Sequence, residues 1–227
     1  MKLLEGIKSR KSIRAFKTDP VPVETLMEIL SVSIRAPSSV NLQPWEFFIV
    51  KGKALKDLKH AGLEEHLLGK TPNPELPIGD IKGVSPVLEG VFRERQVELA
   101  KQMFGLLGIS KQDKEGMKQW NERMVQFYNA PAVIIVVIDR TLQGLWPILD
   151  IGLVTQNIVL ATQEYGLGSC VMRAIVDYPE QIRKIVGVPE SKRIIVGIAI
   201  GYPDRNQPIN RLKTKRERID EIVTLVS

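Results

Sequence analysis

Apolar residues follow one another without alternation through residues 130–139 (APAVIIVVID), a β-branched run that predicts a strand buried on both faces at the centre of a sheet. Residues 193–200 repeat the pattern and predict a second central strand, and 46–50 (EFFIV) predict a third. Elsewhere the spacing turns helical. Leu26, Ile29, Leu30 and Ser33 mark a helix that begins near Val21, after the turn Thr18-Asp19-Pro20, and stops before Pro37, because the residue preceding a proline is pushed out of the α region. Residues 53–68 predict a helix, as do 180–186, while 146–165 predict a long, largely apolar one with Leu149, Leu153, Gln156, Leu160 and Gln163 on related turns, ended by Gly166. Residues 88–108 and 111–128 are polar-rich helical patterns broken around Gly108-Ile109-Ser110. Before them, Thr71-Pro72-Asn73-Pro74 with Pro77, Gly79, Gly83 and Pro86 predicts a surface loop. Residues 204–227 are polar and basic until Ile222-Val223-Thr224-Leu225-Val226, too few apolar positions to build a core, so this tail is expected to lie across a partner subunit.

Composition narrows the class. The 227 residues are 44% hydrophobic and 26% charged, as in a folded globular protein. The pattern fits a single domain over 1–227, with 70–128 as a helical insertion or lid and 204–227 as a tail that wraps a partner. A net charge of +6 and a pI near 9.4 call for an anionic partner without choosing between nucleic acid and a phosphate-bearing cofactor. Aromatics are 6% of the chain, and the basic stretches 8–17 and 211–218 interleave only Phe16, which argues against a base-stacking surface and hence against nucleic acid. A single cysteine, Cys170, rules out an internal disulfide or a cysteine-based metal cluster within one chain. A reducing cytoplasm fits that usage. The start MKLLEGIKSRKS has no apolar signal region, and the runs 130–138 and 194–200 fall far short of a membrane span, so no membrane partner is expected.

Candidate chemistry concentrates near the start, in Arg10-Lys11-Ser12-Ile13-Arg14. Two guanidinium forks, an ammonium and a hydroxyl suit a phosphate. If the segment is extended, Arg10, Ser12 and Arg14 share one face while Lys11 and Ile13 take the other, with Ile13 and Phe16 anchoring it in a core. A solvated basic stretch is the plainer alternative. The loop Ala36-Pro37-Ser38-Ser39-Val40-Asn41-Leu42-Gln43-Pro44-Trp45 could offer hydrogen bonds to a flat polar ligand or simply satisfy its own backbone. In Gly166-Leu167-Gly168-Ser169-Cys170-Val171-Met172-Arg173-Ala174, between helix and sheet, the glycines permit close backbone approach and the N–H groups after them could donate to a ring nitrogen. It lacks the strand-then-glycine order of a dinucleotide fold. His60 and His66 sit six apart in a polar helix and read as surface residues, and Cys170 reads as a small buried residue without an activating histidine nearby. Asp150, Glu164 and Asp177 have no spacing that suggests hydrolysis.

Taken together and in order, the 10–14, 36–45 and 166–170 segments with a late Lys/Arg cluster resemble the FMN-dependent nitroreductase family, over nearly the whole chain. The resemblance implies an α+β fold with a central mixed or antiparallel sheet flanked by helices. It also implies an interlocked homodimer with FMN at the subunit interface. By it, Arg10, Ser12 and Arg14, with Lys11 between them, hold the FMN phosphate, ribityl chain and pyrimidine edge. Pro37, Ser38, Ser39 and Asn41 approach the flavin from the other subunit. Met172, Arg173 and Ala174 place a backbone N–H near N5, and Arg216 is the late phosphate-binding arginine, with Lys213 or Lys215 as companion. Two positions depart from the family: Arg173 stands where many relatives have glycine, and Met124 where those with this helical excursion carry an asparagine, a contact that Arg123 could replace.

The implied activity is hydride transfer from NADH or NADPH to FMN, and then reduction of a nitroaromatic, a quinone or a related small electron acceptor in the same stacked position. Arg14, beside the edge where negative charge develops, is the expected catalytic residue. Two other readings stay open on sequence alone. One keeps the fold but changes the flavin reaction to reductive dehalogenation, enone reduction or flavin breakdown, and the other is a non-enzymatic basic binding module.

Overall fold

The structure, a computed structural model, describes residues 2–77 and 87–226. Part of the loop expected over 71–86 therefore lies outside the described residues. In chain order the elements are α1 (Leu3–Ser9), α2 (Val23–Ser33), β1 (Glu46–Lys51), α3 (Gly52–Leu67), α4 (Gly90–Leu107), α5 (Lys114–Val125), β2 (Ala132–Asp139), α6 (Trp146–Glu164), β3 (Gly168–Met172), α7 (Pro179–Val186), β4 (Lys192–Gly201) and α8 (Ile219–Ile222). The strands form one antiparallel sheet in the order β1-β2-β4-β3. The two strands expected to be central are the two interior ones, and the fold is α+β.

Side chains alternate across a strand, so the unbroken apolar run of β2 feeds two cores at once. Val133, Ile135 and Val137 face a core closed by Leu55 and Leu58 of α3, Trp120 of α5 and Ile182 of α7. Ala132, Ile134, Val136 and Ile138 face a second core closed by Leu26 and Ile29 of α2 and by Ile151, Val154 and Ile158 of α6. All seven residues from Ala132 to Ile138 are fully buried, and each large aliphatic side chain contributes about 1.5–3 kcal/mol relative to exposure.

The structure adds to two of the elements read from sequence. Residues 168–172, read from sequence as a glycine segment beside the sheet, are the edge strand β3, paired Cys170 to Ala199 and Met172 to Gly197. On α6, Leu149 and Leu153 do not face the sheet: they stay 52% and 37% exposed, and the buried stripe is Ile151, Val154, Ile158 and Thr162. A helix apolar on both sides has a second face to cover.

Candidate active site

Residues 12–16 run extended beside β3. Ser12 forms a parallel bridge to Ser169, the Ile13 N–H donates to the Ser169 carbonyl at 2.9 Å, and the Lys17 N–H donates to the Tyr202 carbonyl at 2.9 Å. Ile13 and Ala15 are buried on one face, as alternation requires, and Phe16, on the other face, is buried as well where it bridges Pro203. Gly168 permits this approach, because a Cβ there would lie 2.4 Å from Ile13 Cγ1 and 2.8 Å from Pro203 Cγ. Lys11 departs from the expected segregation: its long stem carries the ammonium to the Asn210 carbonyl, and it lines the same cavities as Arg10.

Arg10, Lys11, Ser12 and Arg14 form one wall of a cavity of about 860 Å³. Opposite them stand α4, through Arg95, Leu99 and Gln102, and the tail, through Lys215 and Arg216. Lys213 instead lines a neighbouring cavity of about 610 Å³ that shares Arg10 and Lys11. Of the two lysines that sequence offered as companions of Arg216, Lys215 is therefore the one in the larger cavity. Among the described residues neither Arg10, Arg14 nor Arg216 has a carboxylate partner. The Arg216 guanidinium donates to Thr214 Oγ1 and the Lys215 carbonyl, both at 2.8 Å, whereas Glu217 is engaged by Arg95 at 2.7 Å. Glu94, Glu98 and Glu217 also line the cavity, but Arg10, Arg14 and Arg216 pair with none of them.

Behind the basic segment lie Tyr128 and Cys170, both in the core that holds Ile13. Burial pushes the Tyr128 phenol up to about 12, with Arg14 beside it acting in the opposite sense. Burial likewise raises the Cys170 thiol against the pull of Arg14 and Ser12, in keeping with a small buried residue. Tyr128 packs on Trp120 with ring centroids 5.3 Å apart. It sits in a left-handed turn in which Phe127, Tyr128 and Asn129 have φ of 57°, 53° and 59°. Non-glycine residues held there cost about 1–3 kcal/mol each, and such strain clusters at functional sites.

Of the glycine segment, Gly166 to Ser169 line the smaller cavity, whereas the remaining residues singled out from sequence line neither. Pro37, Ser38, Ser39 and Asn41 lie on a loop held to α6, where buried Asp150 accepts the Ser39 N–H at 3.2 Å and Ser38 Oγ accepts the Gln43 N–H at 2.9 Å. Met172 is buried at the end of β3, Arg173 is ion-paired with Asp177, and Ala174 packs at the edge of the core. Met124 also packs there, while Arg123 lies near enough to Tyr128 to act on its phenol. His60 pairs with Glu64 at 3.1 Å, and no metal-binding group occurs among the described residues.

The nitroreductase family model matches residues 7–202. The chain belongs to that family. Its relatives include a 4-nitrobenzoate reductase from Nocardioides sp. (strain LMS-CY), 28% identical over 97% of this chain and 88% of that protein. The FMN-dependent nitroreductase NfnB from Mycobacterium smegmatis, solved with NADPH, superposes with a TM-score of 0.89 at 26% identity, covering 99% of this chain and 97% of that one. The FMN- and NADPH-dependent NfnB from Sphigopyxis sp. strain HMH gives 0.91 at 27% identity over 100% of both chains. In this nitroreductase-family chain, three parts of the site were not named from sequence: Asn210, Tyr128 and the individual residues by which α4 walls the cavity. Leu99 and Gln102, three apart on one helix face, were a readable signal for the wall. Asn210 and Tyr128 gave none, because Arg14, the partner that ties each of them to the site, lies far away in the chain.

Proposed function

We propose that the protein is an FMN-dependent oxidoreductase that takes reducing equivalents from NADH or NADPH and reduces nitroaromatics, quinones or related small electrophiles by alternating binding. The observation that carries this reading is the cavity of about 860 Å³ where Arg10, Arg14 and Arg216 meet without carboxylate partners. Its volume suits a cofactor, and its unneutralised guanidinium groups suit a phosphate monoester. The homology to FMN-dependent, NADPH-binding structures supports the same choice. When bound, FMN supplies hydride acceptance from the nicotinamide and donation to the acceptor.

The residues of the chain bind and orient. Arg10 and Arg216, with Lys11 and Lys215, hold the phosphate, and Lys213 adds charge from the neighbouring cavity. Ser12 offers a neutral hydrogen bond to the ribityl chain. Arg14 is the catalytic residue, its cation beside the pyrimidine edge where negative charge develops. Pro37, Ser38, Ser39 and Asn41 serve the partner's flavin, and Met172, Arg173 and Ala174 approach the ring from the end of β3. The chain is one domain of an interlocked cytoplasmic homodimer, with residues 70–128 as a lid over the site and 204–227 as a tail reaching the partner. α4 supports the lid assignment, since no residue of it is buried and yet it walls the cavity.

The test is the visible spectrum of the purified protein, the flavin released on denaturation, and anaerobic bleaching by NADH and then NADPH. One FMN per chain, bleached by either donor, is expected. Release of FAD, or no flavin after reconstitution, overturns the reading.

A further inference from the structure

The two basic segments that meet at the cavity carry like charges, and Lys11 and Asn210 are 199 positions apart in sequence. Segment 12–16 is held to β3 through Ile13, but 204–216 belongs to no strand. The Asp204 N–H donates to the Ala15 carbonyl at 3.1 Å where the tail begins, and farther along one side chain, that of Asn210, bonds to both segments. Asn210 is 5% exposed. Its Oδ1 accepts the Arg14 N–H at 2.9 Å, and its Nδ2 donates to the Ala15 carbonyl at 2.7 Å and to the Asp204 carbonyl at 2.9 Å. Its own carbonyl accepts the Lys11 ammonium. The amide can point only this way: turned over, its NH₂ would face the Arg14 N–H and its oxygen would face two carbonyls.

The amide therefore grips the backbone at Arg14 and Ala15. The residues that follow it, Lys213 to Arg216, are placed relative to the residues it holds. A carboxylate here would neutralise the cations that a phosphate needs, and an apolar group would leave buried polar atoms unpaired. A neutral amide holds two repelling segments together without consuming their charge.

We propose that Asn210 is a positioning residue that sets the distance between the two basic segments and thereby the preference for a phosphorylated flavin over the unphosphorylated one. The inference rests on the FMN reading above. It assigns to the buried amide a role in selecting the phosphate group, without contact with it.

The experiment titrates flavin-free protein with FMN and with riboflavin, following flavin fluorescence, for the parent, Asn210→Ala and Asn210→Asp, with circular dichroism to confirm folding. Asn210→Ala is expected to weaken FMN about tenfold or more while riboflavin changes by less than about threefold. Asn210→Asp, of the same size, keeps the acceptor for Arg14 but exchanges the donors for a charge, and is expected to lose at least as much FMN preference. Equal losses for both flavins, an unchanged preference, or failure of both variants to fold would assign Asn210 to the fold alone and overturn the inference. A parent that binds FMN no better than riboflavin overturns the functional reading itself, which separates the two failures.

Discussion

At the scale of single residues, the cations divide by when their charge is needed. An interaction equal before and after hydride transfer retains the cofactor, whereas one that strengthens as charge develops lowers the barrier. Arg10→Ala and Arg216→Ala are expected to weaken FMN binding by about 1.5–3 kcal/mol, with turnover restored at saturating FMN. Arg14→Ala is expected to slow flavin reduction even in fully loaded protein, as read by stopped-flow bleaching with NAD(P)H. If Arg14→Ala reduces at the parent rate while Arg10→Ala does not, the two roles are exchanged. A residue that bears no chemistry matters nearly as much. Since a Cβ at Gly168 would sit 2.4 Å from Ile13 Cγ1, Gly168→Ala should push the basic segment off β3 and cost about 1–3 kcal/mol of stability. Thermal melting and FMN titration should report that loss together. The glycine was visible in the sequence, but the side chain it makes room for was not.

Among the elements, one carboxylate ties residues 73–77 to both α7 and β4. Glu75 accepts from Arg140, from Arg183 at 2.8 Å and from the Ile194 N–H at 2.6 Å, while its carbonyl accepts from Arg193 at 3.2 Å. Burial alone would raise its carboxyl, but the Ile194 N–H, Arg183 and Arg140 outweigh that and hold it below the usual range. Its contribution to stability is therefore present above the unfolded carboxylate value, about 4.3, and is lost as pH falls through the lower native one. Glu75→Gln is expected to cost about 1–3 kcal/mol at neutral pH, and its gap from the parent should close in acid. Denaturant melts of both proteins from pH 7 downward measure this, and a gap that stays constant with pH would remove Glu75 from the account. Nothing in the loop's sequence distinguished Glu75 from the residues around it, since a carboxylate becomes structural only when distant arginines converge on it.

For the whole molecule, uncovered apolar surface is the main prediction. Leu145 and Trp146 are 83% and 67% exposed, and Leu149 and Leu153 continue the stripe along α6. In the tail, Leu225 and Val226 are 89% and 88% exposed. Contiguous apolar surface of this kind marks an interface. On the proposal that the 36–45 loop serves a partner's flavin, the double variant Leu149→Glu, Leu153→Glu is expected to sediment as a monomer and lose flavin. A dimer that persists with full flavin would show that this stripe is not the contact. Within the tail proposed to reach a partner, Ile209 and Leu212 are buried in their own chain and Glu217 pairs with Arg95 of α4, which leaves the exposed residues from 219 onward as the part to test. Deleting 219–227 should therefore leave the protomer folded while weakening the dimer. No described helix is long and apolar enough to cross a membrane.

What the sequence by itself determined was whatever depends on near neighbours. The unbroken apolar run of 132–138, the helical spacing of 26–33 and the alternation that turns Ile13 inward away from Ser12 and Arg14 follow from local periodicity, and the structure keeps them. The four motifs in their order were enough to indicate the family. Tertiary structure decided which surfaces meet. It turned a glycine segment into the edge strand that carries the basic residues, left one apolar face of α6 uncovered, chose Lys215 over Lys213 for the larger cavity, and brought Asn210 to Arg14. These outcomes depend on pairs far apart along the chain. Local spacing carries no information about which distant group will satisfy a buried amide, a carboxylate or an exposed leucine.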